Sequence, residues 1–139
     1  MRFSGRVFKV KNFWAIEVPM LGITTQGRTK RDAFNMVKDA VESLVDREGF
    51  SVSVHPGQKE YFEIGSNDLA TFVAFMLKRM RQKYGLSLQE VAERMGSKSP
   101  NAYARYEQGK TVPTIETLGK LLSAVAVGED FTISLNRVP

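Results

Sequence analysis

The chain has 139 residues, a net charge of +5, 42% hydrophobic and 25% charged residues, which fits one globular domain or two small ones. It contains no cysteine, which excludes disulfides, thiolate metal sites and cysteine nucleophiles and agrees with a reducing, cytoplasmic setting. No apolar run approaches the roughly 20 residues of a membrane span, and MRFSGRVFKVKN lacks the uninterrupted apolar core of a signal peptide, so no membrane partner is expected.

The first half reads as two strands, a helix and one or two more strands. Residues Arg6 to Val10 alternate weakly, and Phe13 to Val18 put Trp14, Ile16 and Val18 on one face. The connection at Lys11-Asn12 is short enough for a hairpin. Pro19 ends the second strand because it cannot donate to a ladder, and the segment LGITTQGRTK reads as a loop. A helix follows Thr29, which has capping-box spacing to Asp32. Its apolar face is Ala33, Val37, Ala40, Val41, Leu44 and Val45, and Gly49 stands where a C-terminal cap is expected. Phe50, Val52 and Val54 then alternate with polar residues as a half-buried strand, Pro56-Gly57 turns the chain, and Tyr61 to Ile64 adds a short strand. Gly65-Ser66-Asn67 divides the chain, giving domains 1–65 and 66–139.

The second half reads as helical. Asn67 or Ser66 caps a long helix with Leu69, Phe72, Val73, Met76, Leu77 and Met80 inward, and Gly85 ends it. Ser87 and Glu90 form a second capping box, opening a helix that buries Val91, Ala92 and Met95 and stops at Gly96. Ser99-Pro100 opens the next helix, and Pro113-Thr114 opens a fourth that buries Ile115, Leu118, Leu121 and Leu122. Asp130 to Val138 alternates Phe131, Ile133 and Leu135 and reads as a C-terminal strand. The expected fold class is α+β, a small N-terminal αβ sandwich followed by an all-α unit with that strand.

Charge is concentrated. Lys78, Arg79, Arg81, Lys83, Arg94, Lys98, Arg105 and Lys110 face only Glu90, Glu93 and Glu107 in the same segment. A local basic excess of this kind suits a phosphate backbone. A helix-turn-helix needs a small residue where its helices cross, a tight turn, and short polar or basic side chains near the start of the second helix. Ala92 is the small residue, Gly96 makes the turn, and the helix from Pro100 to Gln108 is the recognition candidate. Its spacing turns Tyr103 and Tyr106 inward and Asn101, Ala102 and Arg105 outward. Asparagine pairs with adenine, arginine with guanine, and alanine touches a thymine methyl. Lys98 and Lys110 flank the helix and suit phosphates, and Ser99 and Gln89 complete the expected DNA-contacting set.

These residues carry a resemblance. Leu86-Ser87, Glu90-Val91-Ala92, Gly96, Ala104-Arg105-Tyr106-Glu107, Gly109-Lys110, Pro113 and Ile115-Glu116-Thr117-Leu118 make the stretch similar to the lambda-repressor-like (XRE-type) helix-turn-helix. Where that family often has a glutamine that helps hold a phosphate, this chain has Leu88, with Gln89 one residue later. The turn after Gly96 is one residue longer than usual. The resemblance implies operator binding by a dimer.

The first half carries a second resemblance. Ile16 to Val18, Pro19, Gly22, Gly27, Asp32-Ala33 and Ala40 follow the pattern of the HicB antitoxin family. This implies a shortened ribonuclease-H-like domain, βαβ-rich and without catalysis. It also implies a small cognate toxin partner, the HicA-type mRNA interferase, and repression of the toxin–antitoxin operon. The residues agree that catalysis is not expected. Two-metal phosphodiester cleavage needs converging carboxylates, whereas residues 2–10 carry no acid and Glu17 is alone on the second strand. Asp32, Asp39, Glu42, Asp46 and Glu48 read as a solvated helix face, and His55, the only histidine, as a strand-end residue. No metal and no cofactor is expected. Phe13 and Trp14 are candidates for a partner-binding patch, with core packing the alternative. The competing reading is a stand-alone transcriptional regulator whose αβ domain senses a small ligand.

Overall fold

The computed structural model describes residues 1–137 and is α+β, with a five-stranded antiparallel sheet and five helices. The strands are β1 (Phe3–Val10), β2 (Phe13–Val18), β3 (Ile23–Gly27), β4 (Val52–Pro56) and β5 (Tyr61–Ser66), in the spatial order β3-β2-β1-β5-β4. A 3-10 turn, Pro19–Leu21, joins β2 to β3. Helix α1 (Lys30–Val45) precedes β4, and α2 (Leu69–Lys83), α3 (Leu88–Arg94), α4 (Asn101–Glu107) and α5 (Ile115–Val125) follow β5.

Register explains which face is buried. Val7 opposes Ile16, Phe3 opposes Ile64, and Val18 opposes Ile23, so these side chains share one face. Gly5 opposes Phe62 on that face, and a Cβ on Gly5 would lie 2.4 Å from the Phe62 ring. The missing side chain is the space Phe62 fills. Helix α1 lays Ala33, Val37 and Val41 on this face, each fully buried. Thr29 and Asp32 close the expected capping box at its start.

The segment expected as a loop contains β3. Its residues Ile23–Gly27 pair with β2 from Val18↔Ile23 to Trp14↔Gly27. Thr24 and Gln26 face solvent while Ile23 is buried, an alternation too short and too glycine-flanked to stand out in the sequence.

Helix α2 is buried on nearly every side: Thr71 through Leu77 are all buried. Phe72 stacks on Phe3 with ring centroids 4.6 Å apart and lies 6.3 Å from Phe50. The opposite side of α2 meets α4 and α5. The core is therefore continuous from the sheet through α2 into the C-terminal helices. A helix with apolar residues all round is one packed between two layers.

Several local expectations are corrected. The N-cap of α2 is Asp68, whose carboxylate accepts from the Thr71 N–H at 3.1 Å and the Thr71 hydroxyl at 2.6 Å. Asn67 instead bridges back to the residue before β4, accepting from the Ser51 N–H at 2.9 Å. The left-handed cap residue of α1 is Asp46, at φ 47°, not Gly49. Leu44 and Ile115 are exposed, at 53% and 76%: Leu44 is on the outer side of α1 beside the core-packed Val45, and Ile115 is the first residue of α5. The C-terminal strand is not formed within the described residues, and Val138 lies outside them. Among the described residues this segment pairs with no strand, and Ile133 and Leu135 are exposed. Instead the Asn136 amide donates to the Tyr61 hydroxyl at 3.1 Å and to the Glu63 carboxylate.

Candidate nucleic-acid interface

Helices α3 and α4 and the turn between them form the unit. Ser87 and Glu90 close the capping box at the start of α3, with the Ser87 N–H donating to Glu90 at 2.6 Å and the Glu90 N–H to the Ser87 hydroxyl at 3.1 Å. These bonds from Ser87 hold the Glu90 carboxyl below its ordinary pKa. Val91 and Ala92 are fully buried, so Ala92 is the small residue at the crossing. Gly96 sits at φ 84°, where a side chain is strained, and its N–H returns to the Glu93 carbonyl at 2.9 Å. The Ser97 N–H returns to Ala92 at 2.9 Å, completing the stop.

The turn runs to Pro100, which stands before α4 and whose carbonyl accepts from the Tyr103 and Ala104 N–H groups at 3.2 and 3.0 Å. Tyr103 is fully buried and Tyr106 half-buried, on the inner side as the spacing predicts. Asn101 and Arg105 are exposed one turn apart, and Ala102 beside them is half-buried. The Arg105 guanidinium lies 5.0 Å from the Tyr106 ring centroid and donates to its hydroxyl at 3.3 Å. Ser99 is exposed, and its N–H donates to the Ser97 hydroxyl at 3.2 Å. The Gln89 amide donates to Glu93 at 2.9 Å and to the Lys98 carbonyl at 3.3 Å, which brings Gln89 and Lys98 together at the turn. Lys98 and Lys110 are exposed at opposite ends of α4.

The basic excess divides into two sets. Arg79 donates to the Leu21 and Gly22 carbonyls, both at 2.8 Å, and fastens α2 to the sheet. Arg81 forms a two-point pair with Glu107, at 2.7 and 3.1 Å, and donates to the Leu86 carbonyl at 2.9 Å. Arg94 reaches the Ala124 carbonyl at 3.4 Å, and Lys83 pairs with Glu129 at 3.7 Å. Lys78, Lys98, Arg105 and Lys110 are exposed and form no ion pair among the described residues. Only this second set is open to a phosphate or a base.

Two anchors that the sequence did not disclose hold α4. The Arg81–Glu107 pair is mostly buried, with 15% and 10% of the side chains exposed, and it lies beside the Tyr103 hydroxyl. Burial and Glu107 push that hydroxyl's pKa up, so it stays protonated. The second anchor is Arg47, at the end of α1. Its guanidinium donates to the Thr71 hydroxyl of α2 and, at 3.0 Å, to the Gln108 carbonyl that caps α4. Gly109 permits the approach: it has φ 68°, and a Cβ there would lie 3.2 Å from both Arg47 and the Thr71 backbone. A long-range pair and a clamp to a carbonyl carry no local sequence pattern.

Comparison with curated proteins finds no match to the chain. Residues 77–131 match the helix-turn-helix family, so the C-terminal part of this chain carries an XRE-type helix-turn-helix, the unit of a DNA-binding transcriptional regulator.

Proposed function

We propose that this regulator is an antitoxin that represses its own operon. The helix-turn-helix docks α4 in the major groove of operator DNA. Asn101, Ala102 and Arg105 read base edges, and Lys98, Ser99, Gln89 and Lys110 hold the flanking backbone. A dimer sets two such helices about 34 Å apart on successive grooves. The observation that carries the DNA-reading part is the common exposed face of Asn101 and Arg105 on a helix whose C-terminal end is anchored through Glu107 and Gln108.

The αβ half binds and occludes a small basic RNA-cleaving toxin of the HicA type, acting by steric burial and not by catalysis. Support comes from the HicB-like pattern of residues 16–40, and from Asp39, Asp46 and Glu48, exposed along the outer side and end of α1. These carboxylates suit a basic partner. Co-expression with the neighbouring small reading frame tests this reading. A stoichiometric complex that loses ribonuclease activity supports it. A bound metabolite with no protein partner overturns the toxin-binding part and leaves the helix-turn-helix untouched.

A further inference from the structure

We propose that the end of the sheet remote from the helix-turn-helix is a second nucleic-acid surface, one that takes the phosphodiester backbone. It stands independently of the antitoxin reading. Three connections meet at this end. The β1–β2 register, running to Val10↔Phe13, puts Lys9 and Lys11 there. The last β2–β3 pair, Trp14↔Gly27, delivers Arg28, Lys30 and Arg31. The pair Arg6↔Tyr61, with the Val7 N–H donating to the Glu60 carbonyl at 2.8 Å, brings in Lys59 from the β4–β5 turn. Lys30 ties two of the connections together by donating to the Lys59 carbonyl at 3.3 Å.

The charge of this tip is uncompensated. None of these six cations forms an ion pair among the described residues. The two nearby acids are committed elsewhere: Asp32 accepts from the Thr29 N–H in the cap of α1, and Glu60 pairs with Arg6 at 2.8 Å. Lys30 and Arg31 also occupy the first turn of α1, while its last turn has no basic residue. Cations at a helix N-terminus oppose its dipole, so the positive potential of the side chains and of the helix end add. A polyanion relieves that potential and releases counterions.

The surface suits nucleic acid better than protein. None of the exposed large hydrophobic side chains falls in Lys9–Asn12, Gly27–Arg31 or Gln58–Glu60, and a protein interface needs an apolar centre. Phe13 and Trp14 are half-buried at the same end, with the Lys30 ammonium 5.8 Å from the Trp14 ring centroid. Strand β1 has eight residues, so Lys11 at the tip lies about 26 Å along the sheet from Phe3, where Phe72 of α2 packs. That distance corresponds to roughly eight base pairs of duplex. The backbone it takes belongs either to DNA flanking the operator or to a separate RNA.

The test uses the full chain with Lys9→Gln, Lys11→Gln, Arg28→Gln and Arg31→Gln combined; none of these side chains makes a hydrogen bond or ion pair within the described residues. The probes are a random-sequence duplex of about 40 base pairs and an oligouridine of about 20 nucleotides, each titrated over a range of salt. The slope of log K against log salt is expected to flatten by about three units on the preferred probe, from roughly 0.7–0.9 per lost contact. Flattening on the duplex alone assigns flanking DNA, and flattening on oligouridine alone assigns RNA. Identical slopes and affinities for the parent and variant on both probes overturn the proposal. If the fourfold variant does not fold, Lys11→Gln and Arg31→Gln, made singly, are each expected to flatten the slope by about one unit, and no change in either overturns it.

Discussion

The Arg47 guanidinium donates to the Gln108 carbonyl at 3.0 Å, so a residue at the end of the αβ half's helix caps the end of the DNA-reading helix. The same side chain donates to the Thr71 hydroxyl on α2. One cation thus bridges three elements, and the orientation of α4 depends on the αβ half. If the proposed partner displaces the end of α1, this contact is a route to α4, and by linkage DNA binding would act back on partner binding with equal free energy.

We predict that Arg47→Ala lowers stability by about 1 kcal/mol, a charge-assisted bond discounted for its exposed position. It should weaken operator binding more than Arg47→Lys, which keeps the charge and one donor. Urea titration and operator affinity, measured on the same preparations, check this. Equal operator affinity for Arg47→Ala and the parent removes Arg47 from the positioning of α4.

The Arg81–Glu107 pair has the opposite character, buried and two-pointed. Arg81→Met should cost roughly 3–5 kcal/mol, because Glu107 is left in a dry site without its partner. The double variant Arg81→Met with Glu107→Leu should recover most of that loss, since an apolar pair avoids the desolvation penalty. Chemical denaturation of the three variants decides it. A double variant as unstable as the single one would mean that the pair contributes more than its burial costs.

What was legible in the sequence follows from range. Caps at Thr29, Ser87 and Thr114 involve residues three apart, and each bond is present in the structure. The inward face of α2 and the outward pairing of Asn101 with Arg105 follow from helical period alone. Strand β3 is not legible in the sequence because its identity lies in its pairing with β2, not in its five residues. The C-terminal alternation misled for the same reason: a period of two describes a side-chain pattern, and a strand also needs a neighbour. Charge was legible in amount but not in use. Arg81 and Arg105 look alike in the sequence, yet one is locked to Glu107 and the other lies exposed over Tyr106.

Asp68 should contribute to acid sensitivity. Its carboxylate accepts from the Thr71 hydroxyl and the Thr71 N–H, with Arg47 nearby, and these hold its pKa below the ordinary aspartate value. A depressed folded-state pKa stabilises the fold above the unfolded value of about 3.9. That contribution is lost as pH falls through the folded pKa. The Asp68→Asn variant should therefore be less stable than the parent at neutral pH and show a shallower loss below about pH 4. Urea midpoints measured across that range test it, and parallel curves would exclude Asp68 as an acid-sensitive group.

The proposed reading set on α4 separates from the proposed phosphate contacts by how each loss depends on sequence and salt. Among the described residues Arg105 has only Tyr106 to hold it, so its guanidinium is free to swing to a guanine edge. Arg105→Ala should weaken operator binding by about 1–3 kcal/mol and relax preference at one base position. Lys98 stands in the α3–α4 turn, where its carbonyl accepts from the Gln89 amide. Lys98→Ala should weaken every sequence alike and flatten the salt slope by about one unit. Binding curves for operator and scrambled duplex at several salt concentrations distinguish the two. If Lys98→Ala changes base preference while Arg105→Ala changes only the salt slope, the long turn after Gly96 has shifted the frame. The turn, and not the helix face, then carries the base contacts.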